Sequence, residues 1–175
     1  TSKKIPLHSI HDSLGAKMMP FAGYEMPVRY SSDKEEHLCV RTGVGVFDVS
    51  HMGEFLVEGD RALDLIQYVC ANDASKLEVG DAQYTYFPNE TNGIVDDLIC
   101  YRVKEQTYLL VVNASNIQKD WDWISKHNTE GVEMENISDN MSLLAVQGPK
   151  AAEALQSLTG VDLKAVKYST FTTGT

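Results

Sequence analysis

Two neighbouring aspartates, Asp96 and Asp97, interrupt the run Gly93-Ile-Val-Asp-Asp-Leu-Ile-Cys-Tyr-Arg-Val103, which otherwise has the composition of a buried β-strand. Successive side chains of a strand point to opposite faces. A sheet containing this segment therefore splits the pair, and at least one carboxylate faces whatever covers the sheet. An unpaired buried carboxylate is costly or takes up a proton, so the fold must provide a polar partner or a ligand here. Two readings stay open on the residues alone. Either one carboxylate is solvated while the other caps a turn or pairs with an arginine, or one enters a cleft and binds a protonated nitrogen or acts as a base. Diverging carboxylates do not flank a common bond as a glycosidase pair does. Nor do they converge on a metal ion, and no histidine is suitably placed nearby, so no metal site is expected.

The rest of the composition narrows the classes. A chain of 175 residues with 43% hydrophobic and 23% charged residues has enough apolar material for one ordinary domain or two small ones. Its formal net charge is −10 and its longest basic cluster is Lys3-Lys4. Nucleic acid and anionic membrane surfaces need a basic stripe, so neither is an expected partner. Cys39, Cys70 and Cys100 lack CxxC spacing and are expected as reduced, small apolar residues in or near the core. No leader-type apolar region or bilayer-length run is present, so the expected location is the cytoplasm, or the mitochondrial matrix in a eukaryote.

Local signals predict the elements. Residues 8–17 are weakly helical up to Gly15, and 18–27 form an apolar extended stretch punctuated by Pro20, Gly23 and Pro27. Ser32 and Glu35 form a capping box for a helix that Gly43 stops. A strand ends near Glu58, and Asp60 is expected to cap a helix from Arg61 to about Cys70. Strands follow at 83–87, 94–103 and 107–112. Asn116 then opens a helix through Asp120, Trp121 and Ile124, and a strand is expected at 132–137. Residues 53–138 thus read strand, helix, three strands, helix, strand, close to a ferredoxin-like split βαβ with an added strand. A further strand at 140–147 precedes a helix with Pro149 at or near its first position. Tyr168–Thr175 reads as a strand that has begun and been cut, as if the chain were a fragment.

Other residues invite chemistry. Ser50 and His51 are adjacent but face opposite ways on an extended chain, so they do not form a nucleophile and base. His51 is expected to be structural and satisfied by hydrogen bonds. Gly53 would let backbone approach a flat ligand. Tyr84, Tyr86 and Tyr101 lie on the paired strands of a hairpin, where they either pack across strands or form a stacking wall beside the acidic residue. Asn113 is free to face a ligand. A carboxylate flanked by phenols and an amide suits a neutral-to-basic planar heterocycle.

Five segments carry a resemblance: Leu14-Gly-Ala-Lys-Met-Met-Pro-Phe-Ala-Gly-Tyr-Glu-Met-Pro27, Arg41-Thr-Gly-Val-Gly-Val-Phe-Asp-Val-Ser-His-Met-Gly-Glu-Phe55, Asn92-Gly-Ile-Val-Asp-Asp-Leu-Ile99, Val111-Val-Asn-Ala-Ser-Asn116 and Val146-Gln-Gly-Pro-Lys150. In this order they strongly resemble aminomethyltransferase, the T-protein of the glycine cleavage system, over about its N-terminal half. The resemblance implies an α+β fold of antiparallel sheets with flanking helices. It places a ferredoxin-like domain at 53–138, inserted in a discontinuous first domain formed by 1–52 plus 139–175, within a three-domain folate-binding cloverleaf. It implies transfer of an aminomethyl group from the lipoylated H-protein to tetrahydrofolate with release of ammonia, a step of one-carbon metabolism and glycine catabolism. Asp97 matches the family's key acidic residue, which holds the pterin and helps N5 act as nucleophile. Met52, Tyr84, Tyr101 and Asn113 match positions near the folate. Asn92-Gly93 departs from the family's frequent Gly-Gly. The resemblance also fits two rivals, the folate domain of a dimethylglycine or sarcosine oxidoreductase and a folate-binding accessory protein for iron–sulfur maintenance.

The family's later residues that grip pterin and folate tail would lie beyond position 175, so the fragment is expected to be inactive alone. Calorimetric titration of the 175-residue chain with tetrahydrofolate should give weak binding; tight binding would overturn that expectation.

Overall fold

A computed structural model of the protein describes residues 2–175. Its contacts define two units, one built from the stretch ending at His51 with Ser142–Val166 and Thr173–Thr175, the other from Met52–Met141 with Lys167–Thr172.

The first unit begins with β1 (Lys3–Lys4), α1 (His8–Ser13), β2 (Lys17–Phe21), β3 (Tyr24–Arg29), α2 (Asp33–Thr42) and β4 (Gly45–Asp48). The stretch 18–27 is more than extended, because β2 and β3 pair as an antiparallel hairpin. Ala22 (φ 48°) and Gly23 (φ 84°) make the turn with two left-handed residues, the geometry a two-residue hairpin loop favours. The prolines are tolerated for positional reasons. Pro20 lies on β2, an edge of the sheet ordered β1-β3-β2, and Pro27 lies past the residues that β1 pairs in parallel, Tyr24 and Glu25. The Ser32 hydroxyl accepts from the Glu35 N–H at 3.2 Å and donates to the Glu35 carboxylate at 2.9 Å, so the expected cap starts α2. His11 joins α1 to β4 through Nε2 and Asp48 Oδ2, 2.7 Å apart.

The second unit runs β5 (Gly53–Glu58), α3 (Ala62–Val69), β6 (Ala82–Pro88), β7 (Ile94–Lys104), β8 (Thr107–Val112), α4 (Ile117–His127) and β9 (Glu133–Asn136). They form a sheet ordered β6-β7-β8-β5-β9 in which every neighbouring pair is antiparallel. One face carries Phe55, Val57, Leu98, Cys100, Tyr108, Leu110 and Val112 in the core, together with Ala62, Leu65, Ile66 and Val69 of α3 and Ile124 of α4. The Phe55 and Trp121 rings meet edge-on at 5.1 Å. The β6–β7 turn places Asn92 at φ 62°, a left-handed conformation that Asn tolerates better than other non-glycine residues, so the Asn92-Gly93 departure is accommodated locally.

Several expectations are corrected. Asp60 does not cap α3; Arg61 occupies the cap position without a side-chain capping bond, and the Ala62 N–H donates to the Gly59 carbonyl instead. Asn116 precedes α4 but makes no side-chain capping bond either. Cys70 and Cys100 are buried as expected, whereas Cys39 is exposed. The chain then returns to the first unit, where β10 (Leu144–Gln147) pairs antiparallel with β4 and α5 (Ala151–Gln156) follows. Pro149 therefore lies two residues before α5. Residues 168–175 form no strand among the described residues. Thr170 makes an isolated bridge to Asp81, and Phe171 stacks edge-on against Tyr101 at 5.5 Å. Lys167–Thr172 thereby groups with the second unit, a difference from the sequence-based division, which keeps 139–175 together. Among the described residues no helix is long and apolar enough to cross a membrane.

Gly53 serves packing on the core face. A Cβ there would lie 2.6 Å from Ile117 Cγ1 and 2.8 Å from Val112 Cγ2, so α4 can seat only against a bare strand position. Gly53→Ala should destabilise the protein by about 1–3 kcal/mol in urea unfolding, the usual cost of overpacking; an unchanged midpoint would show that α4 has room to move.

Candidate functional site

The register of β7 decides how the two aspartates are used. Leu98 pairs with Val112 and Cys100 with Leu110, so Asp96, Leu98 and Cys100 share the face covered by the helices. Asp97 shares the opposite face with Ile99 and Tyr101, and Tyr84 and Tyr86 of β6 lie on that face too, Tyr86 directly opposite Asp97. Asp97 is half-buried. Its Oδ2 accepts a short hydrogen bond from the Tyr84 hydroxyl, and its Oδ1 accepts from the Asn113 amide at 2.8 Å. The same Nδ2 lies 3.1 Å from Asp96 Oδ1 and 3.2 Å from the Asp97 main-chain carbonyl. All three neighbours are acceptors, which fixes the amide with its nitrogen toward them. Bonding to Asp97 raises the Tyr84 phenol above its ordinary value, keeping it a donor.

This arrangement leaves Asp97 able to act. An ionised carboxylate offers about four lone-pair sites, and Tyr84 and Asn113 occupy one on each oxygen. The remaining capacity can take a protonated or developing cationic nitrogen. Tyr84 is 66% exposed and Tyr86 38% exposed. Their rings therefore offer unclaimed apolar surface beside the carboxylate, suited to a planar heterocycle.

Asp96 resolves differently from both sequence readings, since it neither caps a turn nor meets an arginine. It is 9% exposed and faces Asp120 of α4, which is fully buried. Burial alone would raise the Asp96 carboxyl, yet hydrogen bonding with Asp120, Asn116 and Asn113 outweighs it and holds the group below the ordinary aspartate value. Burial, then the contact with Asp96, pushes Asp120 up to about 8. Asp120 was not singled out from the sequence, although its spacing from Ile117, Trp121 and Ile124 puts a charge on the buried stripe of α4.

The other expected residues are less tightly gathered. The register carries Met52, one position before β5, to the row of Asn113, since Gly53 pairs with Val112. Tyr101 lies four residues along β7 from Asp97, about 13 Å at strand spacing. Its ring packs on Phe171, and burial raises its phenol. Gly53 is taken up by Ile117 and Val112 on the core face, so it opens no approach for a ligand. His51 of the first unit is not satisfied as expected. Its Nδ1 has no partner, its ring meets Phe21 and Tyr24 edge-on, and burial lowers its pKa. Ser50 bonds instead to the main chain of Leu143. Among the described residues no group of three or more His, Cys, Asp or Glu could hold a metal ion.

With this geometry in hand, comparison with known proteins identifies the family. The model of the GCVT N-terminal domain family matches residues 7–175, and the chain belongs to that family. It is 63% identical over 172 residues to an aminomethyltransferase of Flavobacterium psychrophilum, covering 98% of this chain and 48% of that protein. An aminomethyltransferase of Bacteroides fragilis is 59% identical over the same shares. The chain spans about half the length of the curated relatives it matches. The crystal structure of glycine cleavage system aminomethyltransferase T from Bartonella henselae superposes with a TM-score of 0.86 at 36% identity, covering 97% of this chain and 47% of that one. A weaker likeness, TM-score 0.52 at 16% identity over 74% of this chain and 64% of the other, links it to heterotetrameric sarcosine oxidase from Corynebacterium sp. U-96 and shows the fold alone.

One more carboxyl group on the Asp97 face escaped the sequence reading. Glu54 pairs with Val111 on β8, is 2% exposed, and keeps Oε2 without a partner. Alternation beside Phe55 suggests a solvent-facing position, and only the folded chain shows it buried. Burial raises Glu54 from 4.5 to about 7. A raised carboxyl contributes stability that is fully present below the unfolded value and is lost as pH rises through the folded one. Glu54→Gln should therefore remove up to about 1 kcal/mol per pH unit from the decline of stability between pH 5 and pH 7, read by urea unfolding; an unaltered decline would show that Glu54 ionises normally.

Proposed function

We propose that this member of the GCVT N-terminal domain family carries the pterin-facing carboxylate of a tetrahydrofolate-dependent aminomethyltransferase of the glycine cleavage system. In that reaction an aminomethyl group leaves the lipoyl arm of the H-protein, ammonia is released, and the one-carbon unit passes to tetrahydrofolate as the methylene form. The observation that carries the reading is the Asp97 carboxylate, fixed by Tyr84 and Asn113 with acceptor capacity to spare. Tetrahydrofolate supplies N5 as the nucleophile. With the folate bound, Asp97 would face the nitrogen that becomes cationic, and a carboxylate held beforehand stabilises such a charge more in the transition state than in the ground state. The exposed rings of Tyr84 and Tyr86 offer the stacking surface, while Met52 and Asn113 border the same row. Tyr101 would act further out, from its place against Phe171.

Within the proposed cloverleaf, the unit built on Met52–Met141 would be the ferredoxin-like domain, and the other unit would belong to a discontinuous first domain. A cytoplasmic location, or the mitochondrial matrix in a eukaryote, and a lipoylated H-protein partner belong to this reading. The closer identity to a T-protein than to sarcosine oxidase favours it over the oxidoreductase alternative.

Asp97→Asn keeps the volume and loses the charge. In the protein that carries this chain, it should slow ammonia release from the aminomethyl-lipoyl H-protein by about 10²–10³-fold, the scale for losing one preorganised electrostatic group, with the circular dichroism spectrum retained. An unaffected rate would point to a non-catalytic interaction module.

A further inference from the structure

Beneath Asp97 lies a second carboxyl contact that the proposed chemistry does not use. Asp120 is fully buried with neither side-chain oxygen bonded to a donor, and Asp96 is 9% exposed with Oδ2 equally unpartnered. The two side chains are nonetheless in hydrogen-bonding contact. Two ionised carboxylates cannot bond to each other, because each is an acceptor only, and facing each other in a dry interior they repel. A proton between them satisfies one oxygen of each and leaves a single negative charge. The charged and polar surroundings decide which side holds it. Asn113 donates to Asp96 at 3.1 Å and the Asn116 amide is also directed at Asp96, so the ionised form is stabilised there. Asp120 faces Asp96, feels the Asp97 charge from the far side of β7, and has Lys119 beside it on its own helix. The Lys119 ammonium donates to the Val95 carbonyl at 2.7 Å.

We propose that Asp120 is a positioning residue: its carboxylic acid donates to Asp96, which anchors the Asn113 amide across the Asp96–Asp97 pair and thereby sets the direction in which Asp97 presents its carboxylate. The chain of contacts is Asp120 to the Asp96 carboxyl group, Asp96 Oδ1 to Asn113 Nδ2, and Asn113 Nδ2 to Asp97 Oδ1 at 2.8 Å. It crosses the sheet from the helical face to the open face. An aspartate that kept its proton only at acid pH would leave Asp96 with an unpaired buried charge and Asn113 with a weaker anchor. The proposal deepens the reading of Asp97 as the pterin-facing group and rests on it for its meaning, though its test needs no folate.

The test is carbon-detected NMR of the aspartate carboxyl groups in the protein that carries this chain, together with the Asn113 side-chain amide. At pH 6.5 one aspartate should show the shift of a protonated carboxyl, and Asp120→Asn should remove that signal while preserving the Asn113 amide resonances, because an amide also donates to Asp96. Asp120→Leu should move the Asn113 amide and the Asp97 carboxyl resonances together. Between pH 5 and pH 7 the folding equilibrium constant of the wild type should fall more steeply than that of Asp120→Asn, by about tenfold per pH unit for one proton. The sign follows because the native state retains a proton that the unfolded chain has released. The absence of any protonated aspartate at pH 6.5, or an Asn113 amide unmoved by Asp120→Leu, would overturn the proposal. Should Asp120→Leu fail to fold, the wild-type carboxyl spectrum and the pH slope of Asp120→Asn decide it alone. A negative Asp97→Asn result in the ammonia assay would remove the catalytic reading while leaving this contact chain standing.

Discussion

The amide of Asn113 bonds to both members of an adjacent carboxylate pair, and the placement of the candidate site depends on that clamp. It is possible only because Leu98 pairs with Val112, which brings the residue after β8 level with Asp97. A register shift of one residue would send Asp97 under the helices and Asp96 outward. The pleat, the register and the end of β8 together turn an unfavourable feature, two acids in an apolar strand, into one buried acid pair and one presented carboxylate.

The energetics of the two faces differ accordingly. On the helical face, beside the core that Phe55, Leu110, Val112 and Ile124 build, hydrogen bonding outweighs the burial penalty for Asp96, whereas for Asp120 the contact with Asp96 adds to it. On the other face Asp97 stays half-buried and bonded by neutral donors. Glu54 adds a carboxyl whose burial raises it to about 7. Asp120 and Glu54 thus both favour the folded state at acid pH, while Asp96 is held ionised.

Much of the local structure was legible because its causes are local. Ser32 and Glu35 announce the start of α2 through a three-residue spacing that needs no tertiary context. Thr107–Val112 declares itself a strand by composition. Misreadings arose where two local rules competed. Pro20 and Pro27 marked 18–27 only as an extended stretch, and the hairpin pairing went unread because an edge strand and a position beyond the β1 pairing accommodate both prolines. Asp60 precedes α3 with the right chemistry for a cap, yet the chain turns at Gly59 and leaves Arg61 at the cap position. Gly53 suggested an open approach and proved to be a contact point for Ile117.

The sequence by itself determined that an acid pair lies in a buried strand, that phenols and an amide are close enough in the chain to serve it, and which family the motifs resemble. Those facts follow from side-chain alternation and residue identity. Tertiary structure alone decided that Asp120 meets Asp96 and that Glu54 is buried, because both depend on partners more than 20 residues away or on coverage of a face. Alternation tells which residues share a side of a strand. It carries no information about what the opposite layer brings against them, and burial and pKa are set by that layer.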